Sequence, residues 1–276
     1  MSTASSHSLT GNRIEFRQDQ GQRVVRRHWS STARASWLGA NREAELAAHR
    51  SASRVGLAPQ IIGLDSAAGW MDIEWIEAAP IVVDELLASS ARSALWLLLD
   101  RLRKLDAPQV PRLDVATRIE ELLDRLAQID SAASLRWQSQ WQLIRARPGA
   151  DLSTSRVVSQ MGACLVHGDL HSGNVLRRAG GALVCIDWEY AHAGGPLEDL
   201  AGLLSGSTRL QTEWQTAQDV SAPRPDWWPA EVFDALACHG HAEQVRVLDW
   251  WVESRRLLDG VWMTLAAHSA GNTPHA

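Results

Sequence analysis

Lysine is almost absent. Lys104 is the only one in 276 residues, so every other fixed positive side chain is an arginine, and any task that needs a permanent cation falls to a planar guanidinium. Long apolar runs are missing too. Stretches such as Ala94 to Leu99 fall far short of the roughly 18 residues of a membrane span, which excludes a span and a membrane partner. Before Ile14 there is a Ser/Thr-rich stretch without an apolar core, so no secretory signal is expected and the protein is expected to be cytoplasmic. Cysteine is scarce: Cys164, Cys185 and Cys238 are an odd number without C-x-x-C spacing, which excludes a disulfide framework and a structural zinc site. A basic surplus is also lacking. The formal net charge is -5, and from His167 to Ala276 Asp and Glu outnumber Arg two to one. Nucleic acid, which needs a basic face, is excluded as the main partner, whereas a cationic small molecule suits this surface.

What is present marks a folded chain. Hydrophobic residues at 45% and charged residues at 21% are ordinary for a globular protein, and the length suits one large domain or two lobes. Tryptophan is abundant, 14 beside 1 tyrosine and 2 phenylalanines, and most of these rings are expected to pack in a core. Residues 1–9 read as a disordered tail. Arg13 to Gln18 and Gln22 to Arg26 flank Asp19-Gln20-Gly21 as a hairpin, a helix follows from about Ala40 to Arg54, and Gln60 to Leu64 with Trp70 to Ile76 form a second hairpin. After Ala78-Ala79-Pro80 the pattern turns helical, over Val83 to Leu105, Val115 to Ile129 and Ala133 to Arg145. The boundary therefore falls there, with a small lobe over 10–78 and a large one over 79–276. Inside the second lobe, Cys164 to Val166, Asn174 to Leu176 and Ala182 to Ile186 read as short strands, the last two joined through Ala179-Gly180-Gly181. Helical pattern resumes at Leu197 and runs again from Ala242 to Ala267.

The chemistry is concentrated in His167-Gly168-Asp169-Leu170-His171-Ser172-Gly173-Asn174 and, 13 residues after Asn174, Asp187 in Ile186-Asp187-Trp188-Glu189-Tyr190. Asp169 lies in the loop after a strand, Asn174 opens the next strand, and Asp187 closes the hairpin, which brings Asn174 and Asp187 side by side. Two oxygen ligands so placed suit Mg²⁺, which takes few protein oxygens and completes its shell with waters and substrate phosphates. Asp169 would then reach an acceptor hydroxyl beside the metal.

These segments resemble those of the aminoglycoside phosphotransferase, choline kinase and thiamine kinase superfamily, relatives of the protein kinases, and the form Ile-Asp-Trp-Glu-Tyr-Ala is most similar to the thiamine and choline kinase branch. The resemblance implies an α+β, two-lobed protein-kinase-like fold: a small antiparallel β-sheet lobe with one helix, its first strand truncated or missing, and a larger, mainly helical lobe. It implies Asp169 as catalytic base, with His167 bracing the loop, and Asn174 and Asp187 holding Mg²⁺. Pro196-Leu-Glu-Asp199 is similar to the helix start whose aspartate supports the catalytic loop. In the small lobe, Arg23-Val24-Val25-Arg26 resembles the strand whose basic residue meets the ATP phosphates, so Arg26 is expected in that role with Glu45, or next Glu43, clamping it. Gly11 and Asn12 are expected to offer backbone N–H groups to phosphate, and backbone groups from Glu74 to Ile76 to meet adenine. His171 is expected to be structural, while Glu189 either touches metal-bound water or pairs with an arginine.

The implied reaction is transfer of the ATP γ-phosphoryl group to a small-molecule alcohol. Thiamine is the first acceptor expected; choline or ethanolamine, and an aminoglycoside or sugar, are the alternatives, and a nucleotide-binding pseudokinase is the reading of a different class. Trp227, Trp228 and Trp251 lie in the acidic part of the chain, and tryptophan faces beside carboxylates hold organic cations by cation–π attraction, which makes these three the expected acceptor pocket.

Overall fold

The computed structural model describes residues 5–7, 12–19, 21–30, 40–78, 81, 89–106, 109–147, 163–195, 197–206 and 241–271. Among the described residues the first lobe is a five-stranded antiparallel sheet with one helix. Its elements are β1 (Ser5–His7), β2 (Arg13–Asp19), β3 (Gln22–His28), α1 (Arg42–Arg54), β4 (Ile61–Asp65) and β5 (Trp70–Glu74), and the strand order is β1-β2-β3-β5-β4. Gly21, at φ 83, supplies the left-handed residue that the β2–β3 turn requires. Residues 5–7, expected in a disordered tail, instead pair with β2 at the sheet edge, Ser6 opposite Ile14. A first strand is therefore present, and it is short. The Asn41 side chain caps α1 by accepting the Ala44 N–H. Its buried face is made of small residues, Ala44, Ala48 and Ala52, with Glu45 and His49 among them.

The second lobe is mainly helical, with α2 (Ser89–Arg103), α3 (Val115–Ile129) and α4 (Ser131–Arg145) before the strands. Asp130 serves two helices at once: its N–H closes α3 on the Leu126 carbonyl and its carboxylate caps α4 at the Ala133 N–H. Four short strands follow, β6 (Cys164–Val166), β7 (Val175–Arg177), β8 (Leu183–Cys185) and β9 (His192–Gly194), pairing antiparallel as β6–β9 and β7–β8. The lobe closes with α5 (Glu198–Ser205) and the 31-residue α6 (His241–Gly271). α6 packs on α3, α4 and α5, and its Gly260 has no room for a Cβ, which would lie 2.4 Å from the Trp137 ring on α4.

Ile119, Leu122 and Leu126 of α3 meet Val247, Leu248 and Val261 in one core cluster with Trp141, Trp188 and Trp250, all buried. Each aliphatic side chain so buried contributes roughly 1.5–3 kcal/mol. Cys164 and Cys185 are buried free thiols, and burial raises the pKa of both, to about 12 for Cys164. Among the described residues no helix is long and apolar enough to cross a membrane.

Candidate active site

The loop after β6 is built around a glycine that cannot be replaced. Gly168 has φ 80, and a Cβ on it would lie 2.2 Å from the Tyr190 carbonyl oxygen, so both backbone conformation and space demand glycine. Asp199, in the first turn of α5 and buried, accepts the N–H groups of His167 at 2.9 Å and Gly168 at 3.2 Å. His167 Nδ1 lies 3.3 Å from the Asp169 N–H and accepts it, so Nε2 carries the proton and donates to the Ile186 carbonyl at 2.9 Å. Burial lowers the His167 pKa and keeps the ring neutral. The loop is thus held from both sides, by Asp199 on its backbone and by His167 against the strand that leads to Asp187.

The Asn174 amide reaches back to Asp169, with Nδ2 at 2.9 Å from the backbone oxygen and 3.2 Å from Oδ2. That orientation turns the Asn174 amide oxygen away from Asp169. The Ile186 N–H donates to the Asn174 carbonyl at 2.9 Å, and this bond of the β7–β8 hairpin sets Asp187 beside Asn174. Asp187 is the one non-glycine residue with positive φ, 66, among the described residues, a conformation that costs an L-residue energy and recurs at functional sites. An amide oxygen and a carboxylate form an all-oxygen donor set. No group of three or more His, Cys, Asp or Glu side chains able to hold a metal occurs among the described residues. A short set of oxygen donors fits Mg²⁺ with most of its shell left to water and phosphate. His171, exposed, accepts the Gly173 N–H with Nδ1 at 3.0 Å, and its Nε2 lies 3.7 Å from Asp169 Oδ2.

In the small lobe the structure corrects the choice of cation. Arg26 does not meet Glu45. It makes two bonds of 2.6 Å to Asp72 and lies over the Trp70 ring at 3.6 Å. Arg27, one residue on, is buried and pairs with Glu45, with Asp187 Oδ1 at 2.8 Å and with Glu189 Oε2 at 2.9 Å. Strand alternation is the cause: Arg26 shares a face with Glu15 and Asp72, opposite it in register, whereas Arg27 stands between Ile14 and Met71. Burial opposes the charge on Arg27, but Glu45, Asp187 and Glu189 outweigh it and raise its pKa. Glu43 is exposed and has no part in this cluster. Of the two roles open to Glu189, the structure shows the arginine pair.

The Asn12 side chain is buried and occupied, donating to Glu189 Oε2 at 2.5 Å and accepting the Ser30 N–H at 2.7 Å, so it ties the sheet to the β8–β9 connection. Gly11 lies outside the described residues. The Glu74 N–H is used by the Gln60 carbonyl at 2.8 Å, and its carboxylate grips Arg178 with bonds of 2.6 and 2.7 Å. Beyond Glu74 the chain through Ile76 leaves the sheet.

A cavity of about 580 Å³ opens beside Asp169, lined by the loop after β6, the β8–β9 connection, α3, α5 and α6. Trp251, Tyr190 and Trp262 stand in its wall, the last two edge to face at 6.2 Å. Glu198, Ala201, Gly202 and Ser205 are what α5 presents to it. Trp227 and Trp228 lie outside the described residues. Two wall residues had no sequence signal beyond an i,i+4 spacing: Arg255 and Asp259 of α6, joined at 2.8 Å, with Arg255 Nη2 3.1 Å from Asp169 Oδ1.

A small antiparallel sheet with a helix, set against a helical lobe that carries this loop and hairpin, is the protein-kinase-like fold. The model of a family described as the phosphotransferase enzyme family (APH) matches residues 7–230, and the chain belongs to that family: it is a small-molecule phosphotransferase. Among solved structures, the choline kinase of Streptococcus pneumoniae aligns with a TM-score of 0.59 at 16% identity, covering 98% of this chain and 94% of that one. The ethanolamine kinase of Plasmodium vivax aligns at 0.68 and 14% identity, covering 99% and 78%. An amicoumacin kinase solved with AMP-PNP and Ca²⁺ aligns at 0.59 and 14% identity, covering 98% and 84%. At these identities the likeness establishes the fold. The search of curated proteins by sequence gives no match.

Proposed function

We propose that the chain moves the γ-phosphoryl group of Mg²⁺-ATP to a hydroxyl of a small molecule seated in the cavity beside Asp169, with thiamine the first acceptor to test. The observation that carries this reading is that Asp169 and Asp187 stand together in the wall of that cavity, with the Asn174 amide bonded to Asp169 Oδ2 at 3.2 Å. The amicoumacin kinase bound to AMP-PNP and a divalent cation supports the nucleotide and metal. Asp169 orients the acceptor hydroxyl and takes its proton late, as the new O–P bond forms and the bond to the bridging oxygen of ADP breaks. Such transfer is loose, so alignment and charge neutralisation supply most of the rate. Arg27 sets Asp187 in place and presents a fixed positive charge to the cleft. Mg²⁺, held by Asn174 and Asp187, would neutralise charge on the phosphate oxygens when bound.

For the acceptor, the aromatic wall of Trp251, Tyr190 and Trp262 suits a cationic ring. α5 brings Glu198 to the cavity wall, where it is paired with His192 at 2.8 Å, and carries no acid from Leu200 to Ser205. This favours thiamine over choline, whose kinases tend to carry an acid about two turns into that helix. Mass detection of phosphorylated product over thiamine, choline, ethanolamine, an aminoglycoside and several sugars tests the reading. Thiamine phosphate supports it in full. Another phosphorylated alcohol keeps the transfer and replaces the acceptor, and no product while Mg²⁺-ATP still raises the melting temperature points to a pseudokinase.

A further inference from the structure

We propose that Arg255, backed by Asp259 one turn along α6, is a positioning residue that locks the catalytic carboxylate of Asp169; this rests on the phosphotransferase reading above. A carboxylate alone does not hold its own plane, because the terminal torsion of Asp is broad and two-fold. Here both oxygens are engaged. Oδ2 receives the Asn174 amide at 3.2 Å, with His171 Nε2 at 3.7 Å, and Oδ1 lies 3.1 Å from Arg255 Nη2. The other Arg255 terminal nitrogen donates to the Gly168 carbonyl, so one guanidinium fork grips both the backbone and the side chain of the loop. The fork is itself fixed, since Nε stands 2.8 Å from Asp259 Oδ1 and the side chain is only 18% exposed.

The grip arrives from a separate part of the chain. Arg255 lies 86 residues after Asp169, on a helix whose flanking Trp251, Val252 and Leu257 are buried in the large-lobe core. The helix is therefore a rigid support, and the arginine transmits its position to the loop. The loop's other braces, Asp199 and His167, act on backbone groups. Arg255 and Asn174 alone reach the Asp169 side chain by hydrogen bond among the described residues. Asn174 must also face a metal, so Arg255 is the partner whose whole role is available for orientation.

The test uses Arg255→Met, which keeps length and removes the donors, with Arg255→Lys as the conservative variant. Where the single change leaves the half-exposed Asp259 unpaired and the protein fails to fold, Arg255→Met with Asp259→Leu removes the pair together. Misplacing the carboxylate costs about 100-fold in kcat, while KM for ATP and acceptor stays within about twofold, and Arg255→Lys recovers part of the loss. A melting cycle with Asp169→Asn reads the contact without turnover: non-additive shifts are expected. Unchanged kcat, a KM effect alone, or additive melting shifts overturn the proposal. A wild type silent on every acceptor overturns the phosphotransferase reading instead, and the melting cycle still decides the contact.

Discussion

Arg26 and Arg27 are neighbours in sequence and belong to different environments. Arg26 sits on a partly solvated face between Asp72 and the Trp70 ring, while Arg27 is the buried cation of a three-carboxylate cluster. Arg27→Ala leaves Glu45, Asp187 and Glu189 without their counter-charge, so it is expected to cost about 3–5 kcal/mol and to raise the KM for ATP. Arg26→Ala takes the bidentate partner from buried Asp72 and is expected to cost about 1–3 kcal/mol with the ATP KM unchanged. Urea denaturation and ATP titration of both variants check this, and the reverse ranking would refute the assignment. The distinction was not legible in the chain because Val24-Val25-Arg26-Arg27 shows an apolar and a basic residue in each phase of the alternation. Only the cross-strand partners, Glu15 and Asp72 against Ile14 and Met71, separate the phases. The geometry of the segment from His167 to Asp187 was legible for the opposite reason. From His167 to Asp187 the elements are a turn and a hairpin, where spacing along the chain fixes distance in space.

At the scale of elements, helix ends do much of the positioning. Asp199 opens α5 and accepts two loop N–H groups, so Asp199→Asn sets an amide N–H₂ against a backbone donor. A loss of about 1–3 kcal/mol is expected, with a fall in turnover, as read by denaturation and initial rates; an unaffected rate would free the loop from this support. On α1, His49 is buried with Nε2 donating to the Pro59 carbonyl at 2.8 Å, and burial lowers its pKa from 6.5 to about 4. The native state thus prefers neutral His49, and its contribution is full above pH 6.5 and lost as pH falls toward 4. The shift corresponds to roughly 3 kcal/mol. Stability measured from pH 7 to 4 should fall less steeply in His49→Gln, which keeps a donor without the titration; parallel curves would contradict this. The long helices were legible from their 3.6-residue period, as in Ile119, Leu122, Leu123 and Leu126. β1 and β9 were not. Ser5–His7 and His192–Gly194 carry no apolar alternation, and they are strands because β2 and β6 give them a ladder.

Over the whole molecule, the two lobes meet at the β8–β9 connection. Arg27 reaches Asp187 and Glu189, Asn12 reaches Glu189, the Asn41 N–H donates to the Glu189 carbonyl, and the Cys185 N–H to the Leu57 carbonyl. One guanidinium spans three carboxylates there, which a point-charge ammonium cannot do with the same geometry. In a chain with a single lysine, that is the consequence of its composition at the site. The two-lobed architecture followed from the change of texture near Ala78, whereas the wall supplied by Arg255 and Asp259 depends on a helix folding back from far along the chain, which local pattern does not encode. The measurement that bears most directly on the central claim compares wild type and Asp169→Asn for ADP release with acceptor, Mg²⁺-ATP affinity and melting temperature. The expected result is turnover lost by several orders of magnitude with affinity and melting nearly unchanged. Equal ADP release from the two proteins would contradict Asp169 as the catalytic base and, with it, the proposed reaction centre.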